Sequence, residues 1–230
     1  MSNARPPITV AVDASSVPAA SALAAAVSAH VSTIKLGLEF FCAQGPEGVA
    51  KVMASLESEL FLDLKLHDIP NTVSAAAREA AKLSPTYLTV HGSGGPAMIA
   101  AAVDAAPEVK ITAVTILTSL SAEDLALIGY SSPPLEAVVR LARLAVDAGA
   151  RALVCSPQEV AAVRRAVGSD ITLLTPGVRP AGADIGDQAR IATPEQALKD
   201  GADQVIIGRP ITESADPGAA AAAIAASIMR

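Results

Sequence analysis

Aromatic residues make up only 2% of the 230-residue chain, and its 17 Lys and Arg are outnumbered by 23 Asp and Glu, for a formal net charge of −6. A nucleic-acid binder needs a basic surface to track phosphates and aromatic platforms on which bases stack, so both deficits argue against that class. A small anionic ligand would have to find a local cationic pocket. No apolar run reaches the roughly 18 to 20 residues of a membrane span, and no basic segment followed by a hydrophobic core opens the chain. A cytoplasmic protein with no membrane partner is expected. Cysteine is scarce too: Cys42 and Cys155 are too few and too far apart for a disulfide scaffold or a metal clip, and both are expected as buried free thiols.

What is abundant is core-forming material, with 51% hydrophobic and 17% charged residues. That suffices for one sizeable domain over residues 1–230, with Met1–Pro7 expected to be a polar leader without function. Short β-rich runs recur at Ile8–Asp13, Thr33–Gly37, Leu60–Lys65, Tyr87–His91, Lys110–Leu117, Ala152–Ser156, Ile171–Thr175 and Gln204–Gly208. Alanine-rich amphipathic stretches separate most of them, at Ala19–His30, Glu47–Ser58, Val73–Leu83, Pro96–Ala105, Leu135–Ala148 and Pro157–Val167. Strands alternating with helices over this length predict an α/β fold, a closed (β/α)₈ TIM barrel rather than an open doubly wound sheet. Gly149 and Gly201 are placed to end helices in the left-handed conformation.

The densest chemistry lies in Phe61–Thr72. Alternate residues of an extended chain share a face, so Leu62, Leu64 and Leu66 are expected on one side and Asp63 and Lys65 on the other. A buried carboxylate and ammonium are tolerable only when paired and hydrogen-bonded, and such a pair at a strand end is more typical of active sites than of scaffolds. Asp68 follows beyond the alternating run, and Pro70 prevents easy continuation of the ladder. By the same parity Asp13 joins Thr9 and Ala11, and Lys35 joins Thr33 and Gly37, on inward faces. His91, Thr118, Ser119, Gly208 and Arg209 also fall at or just past strand ends, the end of a (β/α)₈ barrel where active sites are built. His91 is read as a structural histidine near the site, His30 as an ordinary helix-end residue, and His67 receives no role. Gly177–Gln188 is glycine-rich and reads as a mobile lid carrying Arg179 and Gln188.

Ala11-Val12-Asp13, Lys35-Leu36-Gly37, the Asp63–Thr72 signature and Leu88-Thr89-Val90-His91 are the first pieces of a longer pattern. Leu117-Thr118-Ser119, Thr175-Pro176-Gly177-Val178-Arg179-Pro180, Gly186-Asp187-Gln188-Ala189-Arg190 and Ile207-Gly208-Arg209-Pro210 complete it. In this order and spacing the chain resembles the orotidine 5′-monophosphate decarboxylases of the shorter bacterial type, over essentially Ile8 to Arg230. The resemblance implies a homodimeric (β/α)₈ barrel that releases carbon dioxide from a nucleotide substrate with neither metal nor organic cofactor. It implies a charged array of Lys35, Asp63 and Lys65, with Lys65 as proton donor and with Asp68 and Thr72 reaching into the neighbouring subunit's site. Asp13 and Lys35 would meet ribose hydroxyls; Thr118 and Ser119 the pyrimidine; Arg209 and Gly208 the phosphate; Arg179 and Gln188 the phosphate and pyrimidine from the lid; and Pro176 would be a further substrate contact.

Two rival expectations are weaker. Related barrels run metal-assisted chemistry on sugar phosphates with an acidic ligand at the end of strand two, where this chain carries Lys35, which repels a divalent cation. A catalytically silent binding barrel would be expected to lack a member of the charged array, and none is missing.

Overall fold

The computed structural model describes residues 5–179 and 192–229. The first half runs β1 (Ile8–Ala11), α1 (Val17–Val27), β2 (Thr33–Gly37), α2 (Leu38–Met53), β3 (Glu59–Leu66), α3 (Pro70–Ala81), β4 (Tyr87–His91) and α4 (Pro96–Ala105). The second runs β5 (Lys110–Val114), α5 (Ala122–Leu127), α6 (Pro134–Asp147), β6 (Ala152–Val154), α7 (Val160–Val167), β7 (Thr172–Thr175), α8 (Pro194–Lys199), β8 (Gln204–Ile207), α9 (Arg209–Thr212) and α10 (Pro217–Ile228). All eight strands are parallel in sequence order, and β8 closes onto β1 with Ile8 opposite Val205. The predicted (β/α)₈ barrel is what forms.

Local chemistry sets the helix starts. Proline, with its fixed φ and missing N–H, opens α3, α4, α6, α8 and α10. Ser16, Thr193 and Asp216 cap α1, α8 and α10 by accepting a backbone N–H two or three residues into the helix, and Ser121 and Asp124 form a capping box on α5. Gly149 and Gly201 do sit at positive φ, 97° and 111°, where a Cβ would be strained.

Several boundaries differ from the sequence expectation. Gly45, at a non-helical φ of 63°, divides α2 into two helical stretches ahead of Pro46; the second is the helix expected from Glu47, and the first, from Leu38, adds to the expectation. The first, fifth and sixth strands end earlier than predicted, at Ala11, Val114 and Val154, and just past the end of β5 both the N–H and the hydroxyl of Thr115 donate to Val154 O. Cys155 is buried as expected, and burial pushes its thiol far above the usual range; Cys42, expected buried, is exposed on α2. Residues 5–7, the described part of the expected polar leader, are tied to the barrel: Arg5 donates to Glu57 and Ser58, and the N–H of Ile8 donates to Pro6 O. Among the described residues no helix is long and apolar enough to cross a membrane.

The barrel interior is layered. Its middle is apolar, with Ala11, Phe61, Ala152, Leu174, Ile206 and the Tyr87 ring in mutual contact. Its N-terminal end holds Thr9, Thr33, Gln204 and the Tyr87 hydroxyl in one hydrogen-bonded group, with Gln204 accepting from both threonines and donating to Tyr87. The opposite end is charged. The larger apolar core lies outside the strands, where Val10, Ile34, Leu62, Leu88 and Leu153 are buried beneath the helices.

Candidate active site

At the C-terminal mouth, β1, β2 and β3 bring four charges into one line. Lys35 Nζ lies 3.7 Å from Asp13 Oδ1 and 3.3 Å from Asp63 Oδ2. Lys65 Nζ donates to both Asp63 oxygens at 2.9 Å. Signs alternate along Asp13, Lys35, Asp63 and Lys65, and the two central groups are the most enclosed, their side chains each 11% exposed. Burial pushes the Asp63 carboxyl upward. Attraction from Lys35 and Lys65, with hydrogen bonds from Lys65 and Thr89, outweighs burial and holds it below the usual carboxylate range. Gly37 leaves room for the array, since a Cβ there would stand 3.3 Å from Lys35 Nζ.

Strict alternation does not survive at Lys65. The β3–β4 register steps from Leu62 opposite Leu88 to Leu66 opposite Val90, so four steps along one strand match two along the other. The irregularity is a bulge, and within it Lys65 takes a left-handed φ of 49°, which a side-chain-bearing residue rarely adopts. Asp63 and Lys65 therefore meet as the sequence predicts, but through a re-aimed backbone. Periodicity carries no signal for such a bend. Thr89 was also missed as a site residue, although a threonine two residues before His91 and one face with it was visible: its hydroxyl donates to Asp63 Oδ1 at 2.9 Å and accepts from Lys65 N–H at 2.8 Å.

A cavity of about 570 Å³ opens above the array. Asp13, Lys35, Asp63 and Lys65 line one side of it. Thr118, Pro176, Arg179, Gly208 and Arg209 line the other, from the loops after β5, β7 and β8. Arg179 is buried and donates to Val178 O; Arg209 is exposed at the rim. Three predicted residues are not brought in by this chain: Ser119 is exposed outside the cavity, and Asp68 and Thr72 lie in a run from His67 to Thr72 that is exposed throughout. Asp68 there accepts a hydrogen bond from the N–H of Ile69. Gln188 and most of the glycine-rich segment fall outside the described residues. His91 packs against His67, ring centroids 5.3 Å apart, and burial and the neighbouring cations hold it below the ordinary histidine value. Among the described residues no three His, Cys, Asp or Glu side chains gather as a metal ion would require.

A larger groove, about 950 Å³, lies on the outer wall between α4, α6 and α7, far from this chemistry. Size alone would favour it; the converging charges favour the mouth.

Comparison with known proteins decides the family. A family model described as orotidine 5′-phosphate decarboxylase / HUMPS matches residues 6–224. The chain belongs to that family. Within the orotidine 5′-phosphate decarboxylase / HUMPS family, the chain is 61% identical over 224 residues to a protein from Thermobifida fusca named orotidine 5′-phosphate decarboxylase, covering 97% of this chain and 96% of the relative. A protein of the same name from Frankia casuarinae is 52% identical, covering 97% and 88%. The crystal structure of orotidine 5′-phosphate decarboxylase from Lactobacillus acidophilus superimposes with a TM-score of 0.86 at 35% identity, covering 98% of this chain and all of that one. The resemblance drawn from the motifs, and with it the expectation of a carboxy-lyase, is met by this membership.

Proposed function

We propose that the protein converts orotidine 5′-monophosphate to uridine 5′-monophosphate and carbon dioxide, the final step of de novo pyrimidine synthesis, without metal or organic cofactor. The observation that carries this reading is the alternating Asp13–Lys35–Asp63–Lys65 line beneath a nucleotide-sized cavity. Two ammonium groups occupy the carboxylates that would otherwise serve as cation ligands.

In the reaction the bond from pyrimidine C6 to the carboxylate carbon breaks and its electron pair stays on C6. That pair lies in the ring plane, outside the π system, so the ring offers no ordinary electron sink. Stabilisation must be electrostatic. Lys65 stands where positive charge is needed as the anion develops, and it then delivers a proton to C6 as general acid. Asp63 has two roles. It keeps Lys65 charged, and its own charge opposes the substrate carboxylate: at about 4 Å the repulsion is roughly 4 kcal/mol at an effective dielectric near 20. That repulsion vanishes as neutral carbon dioxide leaves.

Binding energy from the unreactive phosphate helps if it drives closure over the ring. Arg209 supplies a planar donor fork at the rim, beside the close-approaching backbone of Gly208. Arg179 and Gln188 grip phosphate and pyrimidine from the lid, Asp13 and Lys35 hold the ribose, and Thr118, Ser119 and Pro176 frame the base. Asp68 and Thr72 serve a second copy of the chain, completing its array across a two-fold interface. Their continuous exposure supports this, as does Ile69 between them, an apolar side chain left 65% exposed. A phosphorylated nucleotide does not cross membranes unaided, which fits a cytoplasmic enzyme.

The test is a spectrophotometric assay on orotidine 5′-monophosphate after treatment with chelator. Full activity is expected with EDTA. Activity lost with EDTA and restored by magnesium would overturn the cofactor-free reading. In the same assay Arg209→Ala is expected to raise KM about tenfold or more, with far less effect on a substrate lacking phosphate; equal losses on both substrates would remove Arg209 from the phosphate site.

A further inference from the structure

The β3–β4 seam contains one polar group that the proposed chemistry does not use. Thr89 is fully buried in β4, on the interior face between Tyr87 and His91. Where the strand register skips, Lys65 has no residue paired with it on β4, and its N–H donates to Thr89 Oγ1 at 2.8 Å. The same hydroxyl donates its own proton to Asp63 Oδ1 at 2.9 Å. A single oxygen thus satisfies a strained backbone amide on one side and a buried carboxylate on the other, closing a ring through Asp63, Lys65 Nζ and the Lys65 main chain.

We propose that Thr89 is a positioning residue of the active site, whose hydroxyl holds the left-handed backbone of Lys65 and the rotamer of Asp63 in register so that the ammonium is aimed at the reacting carbon. This deepens the decarboxylase reading and rests on it. The physical grounds are three. A non-glycine residue at φ 49° persists only where surrounding bonds over-determine it. An unsatisfied buried N–H costs about 1–3 kcal/mol, so without the hydroxyl the bulge would relax toward ordinary pairing and swing Lys65 with it. A β-branched residue has few χ1 choices, so the hydroxyl is itself fixed. A strand core alone would be served as well by valine, and valine can make neither bond.

The groups facing Asp63 are Lys35 from β2, Lys65 from β3 and His91 from β4, with Asp13 beyond β1 on the far side of Lys35, and Thr89 is the neutral donor among them. Its hydrogen bond favours the ionised carboxylate, so its removal moves the Asp63 titration upward.

Thr89→Val keeps shape and deletes the hydroxyl; Thr89→Ser keeps the hydroxyl. Turnover of orotidine 5′-monophosphate by the wild-type protein and both variants, together with carboxylate titration of ¹³C-aspartate-labelled protein without substrate, tests the proposal. For Thr89→Val, kcat is expected to fall about 10- to 100-fold, the scale of a misplacement near 1 Å, with KM within about threefold and the Asp63 midpoint raised. Thr89→Ser is expected to match the wild type in all three. Wild-type kcat and an unmoved Asp63 midpoint in Thr89→Val would overturn the proposal, as would equal losses in Val and Ser. Where Thr89→Val does not fold, Thr89→Cys, with its weaker hydrogen bonds, is expected to show intermediate losses, and unchanged values there overturn the proposal. A wild-type protein inactive on this substrate would sink the decarboxylase reading, while the titration still decides the bond between Thr89 and Asp63.

Discussion

The two ends of the barrel interior are built from the same inward-facing positions, yet their polar groups are arranged to opposite effect. At the N-terminal end Thr9, Thr33, Gln204 and the Tyr87 hydroxyl bond one another, and the charged neighbours Glu59 and Lys110 sit at the edge, Glu59 exposed and Lys110 lying 5.4 Å over the Tyr87 ring. At the C-terminal end the enclosed groups are ions, Lys35 and Asp63, and beside them a backbone is held left-handed at Lys65. Neutral groups satisfying each other inside and charges kept at the edge are the low-cost way to fill a barrel end. Buried ions and a strained residue are costly, and they persist where they are used. The apolar layer between, from Ala11 and Phe61 to Leu174 and Ile206, keeps the two ends apart.

If the comparison holds, changes at the two ends separate activity from stability. The largest effect is expected from Lys65→Ala, which removes the group proposed both to donate the proton and to face C6 with its charge. General acid catalysis contributes roughly 10²–10⁴-fold, and loss of one electrostatic stabiliser roughly 10²–10³-fold, so kcat is expected to fall by at least about 10³ while calorimetry still detects binding of a product analogue. Retention of more than a tenth of wild-type kcat would move the proton donor elsewhere.

Gln204→Leu is the converse. It leaves the two threonine hydroxyls and the Tyr87 hydroxyl without their shared partner, and a loss of about 1–3 kcal/mol in denaturant unfolding is expected, with kcat and KM close to wild type. A variant of wild-type stability, or one of full stability with impaired turnover, would dissolve the division of labour.

The smallest effects are in pH dependence, and they differ in sign between the ends. Asp63 is depressed in the folded state, so the unfolded chain binds its proton more readily; that stability is present above the ordinary carboxylate value, about 3.9, and is lost as pH falls through the folded value. Tyr87 is pushed up to about 12, first by burial and then by Glu59 and Asp203. Its contribution is complete below the ordinary tyrosine value near 10 and is lost as pH rises toward 12. Unfolding followed against pH is expected to lose the acid limb's steepness in Asp63→Asn and the alkaline limb's steepness in Tyr87→Phe. Exchange of the two limbs between the variants would contradict the assignment.

Much of this is legible in the sequence. The strands announce themselves by short β-branched runs between alanine-rich stretches, and Asp13, Lys35, Asp63 and Lys65 by being charges at the ends of such runs. What periodicity does not encode is where a strand stops pairing or bends: β5 ends at Val114, three residues before the β-rich run does, and Lys65 leaves the alternation through a bulge whose N–H is bonded by a side chain on the next strand. Thr89 went unrecognised for the same reason, since its two bonds run between strands and a lone threonine in a strand reads as filler. Of the helix Pro194–Lys199 only the end at Gly201 is legible, and the helix Pro217–Ile228 is not; the first is short and the second has apolar alanine on every face, so neither presents a clear amphipathic stripe.

The central claim is that the charged end of the interior performs the reaction and is completed by a second chain. In one chain Asp68 is exposed and turned to the N–H of Ile69 rather than to the array, which leaves its partner to be found. Mixing inactive Lys65→Ala protein with inactive Asp68→Ala protein, and allowing subunits to exchange, gives hybrids in which one site carries both lesions and the other carries neither. Decarboxylation of orotidine 5′-monophosphate is expected to return to about half the wild-type rate per hybrid dimer. Hybrids confirmed by mass spectrometry with no recovered activity would show that Asp68 serves its own chain, and the shared site would have to be abandoned.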